Sequence, residues 1–266
     1  MDRSDIHRVT SANKAVWEAS AHLHGSGKGW ESLLAAATLP GFSVLDACIA
    51  ETLKSVGVSG RRAAQVGCNN ARELISLASL GAQPALGIDQ STGFLAQGEQ
   101  LATAAGLKPR LLAANIYELP EGLGPYDLIL ITIGVLNWMP DLQRFFEVVA
   151  RLMAPEAVLV IYETHPFLEV FDPSAEHPFE PSISYFEQRP VELNEAITYD
   201  GTDGGAGATG YWFIHTLGDI VTACVRSGLK LRSLTEHPHL NREVEYAVYE
   251  NQEAQVPLSY TLIATV

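Results

Sequence analysis

Between Arg61 and Val160, short apolar runs alternate with segments of helical length, and this alternation constrains the fold more than any other feature. The runs are Ala63–Val66, Ala85–Ile88 ending at Asp89, Arg110–Ala114, Tyr126–Ile133 and Val158–Tyr162. Between them lie helical stretches from about Arg72 to Leu80, from Asp89 to about Ala105, and from Asp141 to Met153. Strands joined by helices of this length pair in parallel through right-handed crossovers. The expectation is an α/β fold with a doubly wound, mostly parallel sheet.

The flanks complete the outline. Apolar positions at Ala15, Trp17, Ala19 and Leu23, then Trp30–Ala37 and Val44–Val56, predict helices over the first sixty residues. Near the C-terminus, Thr216 and Asp219 form a capping-box pattern for a helix to about Ser227, with Gly228 as its stop. Leu229–Thr235 and Leu258–Val266 read as two closing strands, for seven in all. At 266 residues this makes one domain: an N-terminal helical cap (1–60), a core (61–162), an insertion (163–214) and a closing helix with strands (215–266).

Charge and cysteine content exclude several functions. With 17 basic against 31 acidic residues the formal charge is −14, and no basic cluster exceeds Arg61-Arg62, so nucleic acids and anionic membranes are poor partners. No apolar run is long enough to span a bilayer, and the polar N-terminus carries no targeting segment, so a cytoplasmic enzyme is expected. Cys48, Cys68 and Cys224 stand far apart without ligand spacing. His237-Pro238-His239 lacks a third ligand, and no metal is expected.

The residues suited to chemistry stand where the strands end, which is where open parallel sheets bind ligands. Gly67-Cys68-Asn69-Asn70-Ala71 is a small, turn-prone link above a helix N-terminus. Asp89 follows Gly67 by 22 residues, with Gln90 beside it, at a position where an acid grips ribose hydroxyls. Asn115, Ile116 and Tyr117 close the third strand and can pair with and cover a purine. Thr132 and Ile133 end the fourth. A nicotinamide-dependent dehydrogenase fits less well: the turn reads G-x-N-x-A, and no tyrosine has the Tyr-x-x-x-Lys spacing.

With these landmarks, and with Tyr126-Asp127-Leu128-Ile129 and Pro140–Pro155, the chain from Arg61 to Val266 resembles the class I S-adenosylmethionine-dependent methyltransferases. The resemblance implies that Gly67, Cys68, Asn69 and Ala71 border the methionine part of S-adenosylmethionine. It places Asp89 and Gln90 at the ribose, Asn115, Ile116 and Tyr117 at the adenine, and Thr132 and Ile133 near the sulfonium. Trp17 would close over the cofactor from the N-terminal helices. Two departures stand out: Gln65 replaces the family's acid two positions before the first glycine, and Asn69 and Ala71 replace later glycines.

Methyl transfer is an in-line displacement onto an acceptor held close and stripped of water. His165 and His215 are candidate bases, with Glu163 placed to orient one of them. Trp138, Phe167, Tyr185, Tyr211 and Trp212 are candidates for an aromatic acceptor roof, and Gly201–Gly210 for its hinge or a loose connector. The expected activity is methyl transfer to a small molecule by a monomer or homodimer. A non-catalytic S-adenosylmethionine-binding protein with a degenerate loop is the alternative.

Overall fold

The computed structural model describes residues 1–198 and 204–266. Seven strands form the main sheet: β1 (Arg62–Val66), β2 (Gln83–Asp89), β3 (Arg110–Ala113), β4 (Tyr126–Thr132), β5 (Met153–Thr164), β8 (Lys230–His237) and β9 (Ser259–Thr265). Their order is β3-β2-β1-β4-β5-β9-β8. The first five run parallel, and β9 inserts antiparallel between β5 and β8. Chain order reverses between β1 and β4, and a crevice opens at such a switch point, beyond the carboxyl ends of the strands.

Strand alternation divides the core into two layers. On β4 and β5, Leu128, Leu130, Val158, Val160 and Tyr162 face one layer, while Ile129, Ile131, Leu159 and Ile161 face the other. The first layer is covered by α2 (Gly27–Ala37), α3 (Ala47–Ser55), α4 (Arg72–Ser76) and α5 (Thr92–Ala104). The second is covered by α6 (Leu142–Leu152) and α7 (Leu217–Arg226). Side-chain caps begin α3, α5 and α6 at Asp46, Ser91 and Asp141, and the expected Thr216–Asp219 capping box begins α7.

Several boundaries differ from the sequence expectation. The first helix, α1, spans Arg3–His24 because Asp2 caps it by accepting from the Asp5 N–H; its buried stripe is Ile6, Val9, Asn13, Val16 and Ser20. The helix after β1 is α for only five residues and then tightens into a 3-10 turn over Leu77–Leu80. β5 begins at Met153, not at Val158.

The largest correction concerns the glycine run. Residues 199–203 lie outside the described residues, so part of Gly201–Gly210 is not in view. From Ala206 onward the run belongs to β7 (Ala206–Trp212), which pairs antiparallel with β6 (Val191–Glu195) and packs against α1. A Cβ on Gly210 would lie 2.8 Å from Val16 Cγ2 and 3.3 Å from Trp138, so this glycine permits close packing of a strand on a helix. The 206–210 segment is thus neither hinge nor loose connector.

Candidate active site

The turn after β1 is built on left-handed backbone. Gly67, Asn69 and Ala71 have φ values of 64°, 51° and 57°. Gly67 also needs to be glycine for space, since a Cβ there would lie 2.5 Å from Val135 Cγ2. Asn69 and Ala71 therefore keep the backbone that glycines adopt most readily, and Ala71 does so fully buried. The loop is altered in composition and unaltered in kind.

Gln65 is buried with both ends of its amide engaged: it accepts from the Leu74 N–H at 2.9 Å and donates to the Thr132 hydroxyl at 3.0 Å. An amide serves at this buried crosslink without the desolvation penalty of a carboxylate. Thr132 is thereby occupied beneath the crevice. Asp89 accepts from the Asn69 N–H at 2.8 Å and from the Ser91 N–H at 2.9 Å, which ties the end of β2 to the turn after β1. Burial raises its pKa, opposed by these backbone donors.

A crevice opens at this place. Among residues named from the sequence, Gly67, Asn69, Asp89, Gln90, Ile116, Ile133, Trp17 and Trp138 line it. Cys68, Ala71, Asn115, Tyr117 and Thr132 do not. Cys68 turns into the α3–α5 layer, and Tyr117 reaches away to hydrogen-bond the Asp141 carbonyl at 3.0 Å. Asn115 caps its own turn by accepting from the Tyr117 N–H, and its amide donates to Thr10 on α1 at 2.9 Å. Local bonds thus draw the Asn115 side chain off the wall.

Sequence reasoning placed Trp17 of α1 at the wall but missed two other residues of that helix, Asn13 and Lys14. The helix is docked by polar bonds. Glu18 accepts from the Ser91 and Thr92 hydroxyls, each at 2.8 Å, and from the Gly93 N–H at 3.1 Å, completing the start of α5. Asn13 donates to the Trp138 and Tyr211 carbonyls at 3.2 and 3.1 Å and accepts from the Tyr211 N–H at 2.7 Å. An Asn set between Val9 and Val16 on the helical stripe was the available signal. Edge-to-face contacts then run from Phe94 to Trp17, Trp138 and Trp212, with centroids 5.3–5.7 Å apart.

The candidate bases stand off the cavity wall. Glu163 does not orient a histidine: its carboxylate accepts from the backbone N–H groups of Gly134 and Leu136, and burial lifts its pKa to about 8. His165 is buried; its Nδ1 accepts from the Phe167 N–H at 3.1 Å, and its Nε2 donates to Glu236 at 2.9 Å. Its pKa is lowered by burial, against the pull of Glu236. His215 donates from Nε2 to the Met139 carbonyl at 2.8 Å and stacks on Phe213, and burial lowers its pKa too. Met139 lies on the wall, so His215 is one residue removed from it.

The aromatic candidates divide in the same way. Trp138 is on the wall, and Trp212 sits over Gly134 while donating to Glu169 at 2.8 Å. Burial lifts the Glu169 carboxyl to about 7. Phe167 packs on Phe171 and Tyr185, and the Tyr185 hydroxyl accepts from the Leu217 N–H at 2.9 Å, at the start of α7. Tyr211 stacks under Arg8. These three serve the packing of the 163–214 region.

The crevice at a β1/β4 switch, with an acid at the end of β2 and a left-handed turn after β1, defines a doubly wound α/β site of nucleoside-binding type. Residues 63–156 match the methyltransferase-domain family profile. Sequence comparison with curated proteins finds no match. Among solved structures, the fold is similar to the CcbJ methyltransferase from Streptomyces caelestis: 14% identity, TM-score 0.61, covering 95% of this chain and 98% of that one. It is similar also to the PH0226 protein from Pyrococcus horikoshii OT3, at 12% identity, TM-score 0.58 and coverage of 90% and 99%. A third is an S-adenosylmethionine-dependent methyltransferase from Mesorhizobium loti, at 18% identity, TM-score 0.52 and coverage of 89% and 97%. Residues 63–156 thus carry a methyltransferase domain, and the chain has the fold of S-adenosylmethionine-dependent methyltransferases. No described helix is long and apolar enough to cross a membrane.

Proposed function

We propose that the enzyme methylates a small molecule bound against the Gly134–Trp138 side of the cavity, under Trp212. The observation that carries this reading is the cavity itself: a strand-end crevice with an acidic end at Asp89 and aromatic walls at Trp17 and Trp138. The net charge of −14 favours a small acceptor over a nucleic acid. CcbJ and the protein that converts a disulfide bond into a thioacetal group during echinomycin biosynthesis share this fold, which is compatible with the same class of acceptor.

The residues suit the cofactor. Asp89 keeps lone pairs beyond its two backbone bonds for ribose hydroxyls. Ile116 and Trp17 offer faces for the purine, and Gly67 brings backbone close where a side chain could not fit. Lys14, on the same wall, is a cation suited to the methionine carboxylate. When bound, S-adenosylmethionine supplies an electrophilic methyl carbon.

The chain then holds the acceptor and keeps water away. Trp138 and Trp212 shield the cavity edge. Glu163 positions the 134–136 backbone, and His215 positions Met139. His165 caps the turn at Pro166–Val170. On this reading, the rate comes from proximity and desolvation, and the acceptor presents its own lone pair. The test is calorimetric titration with S-adenosylhomocysteine, followed by incubation with S-adenosylmethionine and either planar amines and phenols or RNA and DNA. Methylation of a small acceptor alone supports the proposal; methylation confined to nucleic acid overturns it.

A further inference from the structure

The fold brings together three metal-type ligands that the sequence keeps far apart. Cys48 near the start of α3, His237 at the end of β8 and His239 just beyond it each offer a ligand atom, and the three atoms lie within 4.8 Å of one another. Cys48 Sγ is 3.5 Å from His237 Nε2, although 189 residues separate them. In tetrahedral zinc coordination, Zn–S of about 2.3 Å and Zn–N of about 2.0–2.1 Å put sulfur and nitrogen roughly 3.6 Å apart. The His237 and His239 rings are stacked, with centroids 5.0 Å apart, and His237 Nε2 also lies 3.1 Å from the Thr261 hydroxyl, a contact that a bound ion would replace.

A second observation points to the same place. The Tyr162 hydroxyl, fully buried on β5, lies close enough to Asp46 and Cys48 to feel both. That hydroxyl lies beside the Asp46, Cys48 and Ser259 side chains, yet neither it nor Asp46 Oδ2 makes a hydrogen bond of good geometry among the described residues. Two buried polar atoms in this condition are costly unless something polar meets them. The other Asp46 oxygen is committed to the cap of α3, where it accepts from the Ile49 N–H at 3.0 Å. All three candidate ligands are half-buried, which leaves a route for an ion.

We propose that Cys48, His237 and His239 bind a divalent cation of the zinc class, whose fourth position is taken by water hydrogen-bonded to Asp46 and Tyr162. One thiolate and two imidazoles match a borderline-soft cation and not calcium or magnesium, which take oxygen. The site lies at the β5–β9–β8 side of the sheet, away from the cofactor cavity, and joins the start of α3 to the C-terminal strands. Arg242 already links these regions, donating to the Val44 carbonyl and to Glu73, each at 3.0 Å. The metal would be a second tie between segments distant in sequence.

The experiment uses the full chain, stripped with a chelator and titrated with cobalt(II) alone. The expected result is one equivalent bound, with a thiolate-to-cobalt charge-transfer band in the near ultraviolet and strong visible absorption of four-coordinate cobalt, both bleached by zinc. Cys48→Ser should abolish the charge-transfer band. His239→Ala, which leaves the packing of α3 untouched, should weaken cobalt binding about a hundredfold or more. A wild-type protein without the band overturns the proposal. So does a band that survives Cys48→Ser, which would come from Cys68 or Cys224, or an unchanged affinity in His239→Ala.

Discussion

The Asp89 carboxylate accepts the Asn69 backbone N–H at 2.8 Å, so the acid that ends β2 also holds the shape of the turn after β1. Its second oxygen accepts from the Ser91 N–H, steadying the start of α5. One side chain therefore supports both edges of the cavity. Asp89→Ala should weaken S-adenosylhomocysteine binding by tenfold or more and also destabilise the fold by about 1–3 kcal/mol, since two backbone donors lose a charged partner. Calorimetric titration and denaturant unfolding separate the two effects. Unchanged affinity in a folded Asp89→Ala protein would remove Asp89 from the ribose site.

Ala71 is in the left-handed region at φ 57°, where an L-residue bears strain of about 1–2 kcal/mol. Ala71→Gly relieves that strain but loosens the unfolded chain and removes a buried methyl. These offsetting terms leave an expected change within about 1 kcal/mol, with cofactor affinity retained. Gly67→Ala is the contrasting case, because strain adds to the 2.5 Å approach to Val135. That variant should lose cofactor binding and several degrees of thermal stability.

What the sequence revealed of the site was what is local in the chain. Gly67, Asp89 and Ile116 each stand at a strand end, and a strand end in a parallel sheet implies a place in the crevice. Asn13 and Lys14 reach the wall only because α1 docks through Glu18 on α5 and through Asn13 on β7, contacts across about 75 and 198 residues. The β6–β7 pairing is between neighbouring segments, Val191 facing Trp212 and Glu195 facing Ala206, but its glycines read as flexible when composition alone is considered. Asn115 failed in the opposite direction: a short-range bond to the Tyr117 N–H turned its side chain away from the ligand side. Histidine roles depended on partners such as Glu236 and the Met139 carbonyl, which no spacing rule specifies.

Glu163 makes stability depend on pH. Its carboxyl has an ordinary value of 4.5 when unfolded and is raised to about 8 in the fold by burial, against the backbone donors at Gly134 and Leu136. Between those two values the folded protein binds more protons than the unfolded chain, so stability falls as pH rises through that interval. Glu169, raised to about 7 by burial, adds to the same trend. Unfolding midpoints measured from pH 5 to 8.5 should decline, and Glu163→Gln, which imitates the protonated acid, should flatten the decline above pH 6. An unaltered slope in that variant would show that Glu163 ionises freely.

His215 separates a positioning role from a basic one. Its Nε2 proton is committed to the Met139 carbonyl, and Met139 forms part of the cavity wall. His215→Phe keeps a ring against Phe213 and loses that bond, worth about 1 kcal/mol net. The cofactor Kd or acceptor KM should rise about fivefold, with kcat little changed and the pH profile of kcat keeping its shape. A general base would behave otherwise: kcat would fall about a hundredfold or more at constant cofactor affinity, and the acid limb of the profile would vanish. The pH profile decides between them, because a histidine that only holds a carbonyl has no titration to impose on the rate.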